Sequence, residues 1–360
     1  MAKKEQNPFK KLSGLRVIYP VIIGLGVIGY FFYRKDFNPK AFDLLTFNTN
    51  MCLFLLLAIL FMAMRDIGYM MRIRILTNKA LTWKQAFRVI MLWEFTSAVM
   101  PSAVGGTTVA MIYINKEGIN LGRSTAVVMA TSFLDEIYFI LMFPLLLLII
   151  KVHKLFAIGV HGQGGEVFSL TNEFLWFAII GYSIKLIYTI FLSYGLFVNP
   201  RGLKSLVLGV FKLPFLRKFR YEAHITGTDI INSSRELKKQ KLAFWLKAFG
   251  ATFFSWSSRY LVANALILAF FSVSDHFLLF ARQLVMQNML LLSPTPGGSG
   301  FAEAIFMNYL RDFIPVAPAL AISFITVLAL LWRIVSYYPY LVIGTIILPS
   351  WIKKKFNKKQ

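Results

Sequence analysis

The sequence predicts an all-α polytopic membrane protein with about six full spans and two re-entrant helical hairpins in an inverted-topology repeat. Three observations predict it. The 360 residues are 57% hydrophobic and 16% aromatic with only 15% charged, and the mean hydropathy of +0.63 lies beyond the range of soluble globular chains. Two apolar segments are interrupted by proline followed by paired glycines, at Met100-Pro-Ser-Ala-Val-Gly-Gly106 and at Ser293-Pro-Thr-Pro-Gly-Gly-Ser-Gly-Phe-Ala-Glu303. The basic residues, 39 Lys and Arg against 16 acids, cluster between the apolar runs.

Residues 1–14 are polar and carry Lys3, Lys4, Lys10 and Lys11, and Leu15 to Tyr33 is then apolar for the length a helix needs to cross hydrocarbon. The charge places the N-terminus in the cytoplasm. The long basic lead-in and the lack of a small-residue cleavage site predict that this first span is retained. A second span is expected over about Asn48 to Ala63. Arg65, Arg72, Arg74, Lys79 and Lys84, opposed by Asp66 alone, put the following loop inside.

The apolar stretch 86–115 holds the first interruption. Read as one ordinary span, it would force residues 199–242, with ten Lys and Arg against three acids, to the outside. Read as two half-helices that enter and leave from the cytoplasmic side, it restores the positive-inside pattern through spans at about Ser124 to Ile150 and Phe174 to Phe197. The 199–241 segment becomes a cytoplasmic basic loop. Its interleaved Phe211, Leu213, Phe215, Lys212, Arg217 and Lys218 allow either a solvated loop or a stretch lying on the membrane surface. A span over about Leu242 to Phe271 follows, then a second re-entrant pair over 277–311 and a final span over about Val316 to Leu348. The tail lysines, Lys353 to Lys355, Lys358 and Lys359, then lie inside.

One integral membrane domain therefore covers 1–360, with a first repeat over 48–150 and a second, inverted one over 242–348. Broken backbone at membrane depth is tolerated only where protein buries it or water lines it, and paired breaks in two halves mark transporter binding sites. Pro101, Pro294 and Pro296 lack a backbone donor, and Gly105, Gly106, Gly297, Gly298 and Gly300 allow unusual backbone angles. Free amides at these tips suit an anionic phosphate. The alternative for the glycines is close helix packing.

Ionisable groups inside apolar spans are functional candidates. They are Glu94, Asp135, Glu136, Lys185, Arg259, Glu303 and Arg333. Ser132, Asp135 and Glu136 share a helix face, with Arg333 a partner for the two acids, either as a register-fixing ion pair or as a protonatable site. Glu303 falls in the first turn after the second break, where it either stabilises the helix start or meets a cationic or hydroxylated headgroup. Arg259 and Lys185 offset phosphate charge or these acids, and Lys185 has the further option of snorkelling. Ser255, Ser257 and Ser258 have no His or Asp in register, so no nucleophile is expected.

Several classes are excluded. No nucleic-acid motif accompanies the net charge of +23. Cys52 is the sole cysteine and His153, His161, His224 and His276 are scattered, so neither disulfides within the chain nor a metal site is expected. No cofactor is implied, and no phosphate-binding loop for ATP is present.

The two interrupted motifs together with Arg333-Ile-Val-Ser-Tyr-Tyr-Pro339 resemble the lysylphosphatidylglycerol synthase transmembrane-region family. The resemblance covers nearly the whole chain. It implies the flippase-type portion, in a bacterial cytoplasmic (inner) membrane with both termini cytoplasmic. No aminoacyl-transfer domain follows the membrane part in this sequence, which argues against synthase activity.

The function expected is a lipid transporter or flippase, not an enzyme. It would move a phospholipid or lipid-linked amphiphile through a cavity lined by Glu94, Asp135, Glu136, Arg259, Glu303, Arg333 and the two breaks. Anionic membrane lipids are expected partners, and a homo-oligomer is compatible with the sequence. The alternative is a non-transporting membrane partner that docks a cytosolic lipid-modifying enzyme through the basic loop. An intramembrane lipid-modifying enzyme is a weaker third reading, because paired carboxylates alone make no catalytic site.

Overall fold

The structure, a computed structural model, describes residues 37–100, 103–156, 171–202 and 231–356 apart from 233 and 294, with isolated positions between 22 and 33 and at 205. The basic lead-in, most of the first expected span, Pro101, Pro294 and the middle of the 199–241 segment lie outside the described residues. Those described are mostly helical and carry no strand. The chain is an all-α membrane protein.

Helix α1 is Thr49–Leu76, begun by the Asn48 side chain, which accepts from the Met51 amide at 2.7 Å. It does not stop at Ala63. Its 28 residues run through Arg65, Arg72 and Arg74, which the charge pattern assigns to a loop. Neutralisation explains the difference: Arg65 and Arg72 are buried against carboxylates of other helices, so neither has to leave the apolar body.

Helix α2, Trp83–Val99, starts with a capping box between Thr82 and Gln85, and α3, Ala103–Lys116, follows the first interruption. The two fold back on each other. Thr96 and Tyr113 hydroxyls lie 2.6 Å apart inside the hairpin, and at its base Arg88 reaches Glu117 at 3.0 Å while Gln85 donates to the Glu117 carbonyl at 3.2 Å. Gly105 and Gly106 stand within the first turn of α3 rather than in the interruption. A Cβ at Gly106 would strike Ser97, so this glycine serves close helix approach.

Helix α4, Leu121–Ile149, is capped by Asn120, and the short α5, Val152–Phe156, tucks its Leu155 and Phe156 into the interior. Helix α6, Thr171–Ser193, ends in a π-turn, Tyr194–Val198. Helix α7, Leu242–Leu268, lies antiparallel along α1: Arg65 and Gly68 meet Ser255, Tyr69 meets Trp256, and Arg72 meets Thr252. Ser255 donates to the Arg65 carbonyl at 2.7 Å. Gly68 permits this closeness, since a Cβ there would sit 2.8 Å from Ser255 Cβ and 3.0 Å from the Ala251 carbonyl.

Helix α8, His276–Leu290, is capped by Asp275; a 3-10 turn at Pro296–Gly298 and α9, Phe301–Leu310, complete a second hairpin. Arg282 of α8 donates to the Tyr309 carbonyl at 2.9 Å and to the Lys154 carbonyl at 3.0 Å. The final expected span is two helices, α10, Pro318–Ser336, and α11, Tyr338–Phe356, broken at Tyr337 (φ −133°, ψ −55°). Pro339 causes the break: it has no amide to offer and its ring collides with the carbonyl one turn back. Beyond the kink α11 packs on α2, with Gly344 facing the Phe95 ring. Its far end reaches Glu117, to which Trp351 donates at 2.9 Å and Lys355 at 3.0 Å.

Four stretches among the described residues have the length and hydropathy of a bilayer crossing: Thr49–Leu76, Leu121–Ile149, Phe174–Val198 and Leu320–Lys355. The chain is an integral membrane protein.

Replacing Gly68 by Leu is expected to cost about 1–3 kcal/mol through overpacking of α1 on α7. The same change at Gly250, where a Cβ meets nothing within 4 Å, should leave the melting temperature of the purified protein nearly unchanged. Glu117 sits in the α3–α4 turn, where burial raises its carboxyl but hydrogen bonds from Arg88, Trp351 and Lys355 outweigh it and hold the group below the usual carboxylate value. A depressed folded value stabilises fully above the unfolded-chain value and loses that stabilisation as pH falls through the folded one. Wild type should therefore melt above Glu117→Gln at neutral pH, with the difference vanishing in acid.

Candidate functional site

The second break is held by an ion pair. Gly297, Gly298 and Gly300 take positive φ (58°, 68° and 85°), the region that glycine enters without steric cost. Arg333 of α10 reaches Glu303 through two bonds, Nε to Oε1 at 2.8 Å and Nη2 to Oε2 at 3.0 Å. Its Nη atoms lie 3.4 Å from the carbonyls of Gly297 and Gly298. Glu303, in the first turn of α9, also accepts from the Gly300 amide at 2.7 Å. Both side chains are buried. Arg333 thus pairs with Glu303, and the sequence-based pairing of Arg333 with Asp135 or Glu136 is replaced. The reason is local: only Glu303 sits where the freed carbonyls also need a cation.

The kink at Tyr337 carries this break to the first one. The Tyr337 ring lies against Gly297, where a Cβ would be 2.5 Å from its hydroxyl oxygen, and that hydroxyl donates to the Ala98 carbonyl at 2.9 Å. Ala98 belongs to the last turn of α2, just before the first interruption. One turn further along α11, the Tyr340 hydroxyl donates to Asp66 at 2.9 Å.

Asp66 opens a band of charges across the bundle. Arg65 is shared between Asp66 at 2.8 Å and Glu94 at 2.7 Å, with its guanidinium 4.4 Å from the Tyr69 ring centre and 5.2 Å from that of Tyr340. Seven residues on, Arg72 grips Asp135 through both Nη atoms and also donates to Thr252 at 3.2 Å, while Trp256 donates its indole N–H to the same carboxylate. Glu136 points the other way, to Lys185 of α6 at 3.0 Å, and the ammonium rests 4.2 Å from the Phe139 ring centre. Asp135 and Glu136 therefore join α4 to two different neighbours. Arg259 lies 5.6 Å from the Trp256 ring centre and makes no ion pair among the described residues.

Except for Arg65–Asp66, these pairs link different helices, so they fix register. Their exposure is lopsided. The cationic side chains of Arg65, Arg72 and Lys185 are 2%, 3% and 6% exposed, whereas Asp66, Glu94, Asp135 and Glu136 are 19%, 21%, 20% and 15% exposed. The carboxylates are thus the more accessible members of these three cation sites and the cations the more buried. Four buried polar atoms in this region, Arg65 Nε, Arg72 Nε and the hydroxyls of Tyr260 and Tyr338, have no partner within the chain. Buried polar groups are nearly always satisfied, so these mark places able to bond an oxygen-bearing group or water.

Of the residues predicted from the sequence, Glu94, Asp135, Glu136 and Arg259 fall in or beside this band, and Pro296, Gly297, Gly298, Gly300, Glu303 and Arg333 form the second break. Gly105 and Gly106 lie in α3, and Pro101 and Pro294 lie outside the described residues. Arg65, Asp66, Arg72, Tyr337 and Tyr340 were missed. A signal for the arginines existed: no proline lies between Thr49 and Leu76, so nothing stops the helix before they are reached.

Helices that break and fold back inside an apolar helical body, held by buried interhelical ion pairs, define a polytopic membrane protein of the broken-helix kind. The chain belongs to the lysylphosphatidylglycerol synthase TM region family, which it matches over residues 17–344. It is also similar to a UPF0104 membrane protein of Archaeoglobus fulgidus, 23% identical over 304 residues, which cover 81% of this chain and 84% of that protein.

Arg333→Met strands Glu303 and both glycine carbonyls in the interior and is expected to cost about 3–5 kcal/mol of stability. Adding Glu303→Gln should restore part of it. Thermal unfolding of the single and double variants checks this.

Proposed function

We propose that this protein moves a phospholipid or related amphiphile between bilayer leaflets, the headgroup passing along the charged band while the acyl tails stay in lipid. The observation that carries the reading is the lopsided band itself: partly open carboxylates backed by buried cations, adjoining the point where the two breaks meet. A zwitterionic or cationic headgroup would exchange its water for these carboxylates, and the unpartnered donors of Arg65, Arg72 and Tyr260 would take phosphate oxygens.

The same proposal takes residues 48–150 and 242–348 as halves of opposite orientation, each with a re-entrant hairpin, and both termini as cytoplasmic. Three features support it. Thr49 to Leu242 and Trp83 to His276 are both 193 residues, so the first two helices of each half begin in register. Each half continues with a fold-back hairpin. Helices α1 and α7 meet antiparallel, as equivalent helices must where a two-fold axis lies in the membrane plane.

The test is leaflet exchange of fluorescent phospholipids in proteoliposomes, read by dithionite access to the outer leaflet. Glu94→Gln is the informative variant, because Arg65 keeps Asp66 and the fold is little disturbed. Wild type should accelerate exchange and Glu94→Gln should return it toward the protein-free rate. No acceleration across several headgroups, with a proton gradient imposed, would overturn transport in favour of partner docking through the 199–241 segment.

A further inference from the structure

Away from the charged band, the end of α6 and the residues before α7 enclose a cavity of about 340 Å³, within the size range of small-molecule sites. Its polar lining is Asn199, Arg201, Ser234, Arg235 and Lys238. No acid lines it. The nearest acid in sequence, Glu236, lines a separate small cavity beside Arg123. Among the described residues, Arg201, Arg235 and Lys238 form no ion pair.

Ser234 supplies an independent sign that the cavity is built for a ligand. It is fully buried, and its hydroxyl has no hydrogen-bond partner in the chain although it lines this space. A buried hydroxyl beside three unneutralised cations is suited to one kind of group, an oxyanion with several acceptor oxygens. Asn199 borders the same space. Its backbone closes the π-turn by donating to the Tyr194 carbonyl at 2.8 Å, and its Oδ1 accepts from the Gly202 amide at 2.8 Å, so its place is fixed. Such π-turns recur at functional sites.

The approach to the cavity identifies the source of the anion. Ile187, Ile190 and Phe191 share a face of α6 by their three- and four-residue spacing, and with Tyr194 and Val198 of the π-turn they make a stripe of exposed large apolar residues. The stripe ends at the cavity mouth, where Phe197 and Val198 are also lining residues. A molecule with acyl chains along the stripe would bring its phosphate to Arg201, Arg235, Lys238 and Ser234.

We propose that this cavity binds the phosphate-bearing headgroup of an anionic phospholipid from the leaflet that α6 meets at Val198. The site goes beyond leaflet exchange: a lipid held here need not cross the bilayer, and the binding stands whether or not transport does. A water-soluble phosphate ester has the same headgroup chemistry but no use for the apolar stripe.

The experiment is native mass spectrometry of the full chain released from micelles doped with equal phosphatidylglycerol and phosphatidylcholine. Wild type should retain phosphatidylglycerol preferentially. Arg235→Gln with Lys238→Gln should weaken that preference about tenfold or more. Lys239→Gln with Lys241→Gln removes the same charge from exposed neighbours that do not line the cavity and should leave the preference intact. Ser234→Ala should weaken retention with no change of charge. Equal losses in the two double variants would overturn the site in favour of diffuse surface charge, as would the absence of any preference in wild type. Displacement of phosphatidylglycerol by micromolar glycerol 3-phosphate would overturn the lipid assignment. None of these readouts depends on leaflet exchange.

Discussion

The architecture rests on one requirement: a helix interrupted in an apolar interior must find new partners for the backbone groups it releases. At the second break Glu303 and Arg333 meet that need together. The carboxylate takes the Gly300 amide, the guanidinium lies against the carbonyls of Gly297 and Gly298, and each ion neutralises the other. Neither residue would serve alone, since a single buried charge would exchange one unsatisfied group for a costlier one. The positive φ angles at the three glycines belong to the same solution, because they set the backbone path on which these groups meet the pair.

The first hairpin is secured at its base. Glu117 gathers Arg88 from α2 and Lys355 and Trp351 from α11, so the terminal helix fastens both arms. The interior pairs do a third job. Arg65 with Glu94, Arg72 with Asp135 and Lys185 with Glu136 tie α1 to α2, α1 to α4 and α4 to α6. In an apolar solvent hydrophobic burial distinguishes poorly between helix registers, and directional charged contacts of this kind supply the discrimination.

Much of the helical layout was legible because its signals are local. Prolines, glycines and apolar run lengths placed α4, α6, α7 and the second interruption close to their observed limits. Charge counting misled at α1, since a rule about loops cannot recognise an arginine whose carboxylate lies on another helix: Arg65 is 29 residues from Glu94 and Arg72 is 63 from Asp135. The kink at Tyr337 was written in Pro339, but long, mainly apolar runs continue on both sides of it and read as one span. In the site, Glu94, Asp135 and Glu303 stood out as ions in apolar surroundings. Tyr337 and Tyr340 did not, since a tyrosine near a membrane helix end has many ordinary uses and only three-dimensional contact gives these two their partners.

The hydrogen bond from Tyr337 to the Ala98 carbonyl spans 239 positions of sequence and ties the kink beside one break to the threshold of the other. Mechanically, the two interruptions are thereby a linked pair of joints rather than two independent gates. Any rearrangement that swings α11 about its kink pulls on the last turn of α2, or else severs this bond and leaves a carbonyl bare in an apolar setting. The coupling needs no relay of intervening side chains: a single phenol carries it.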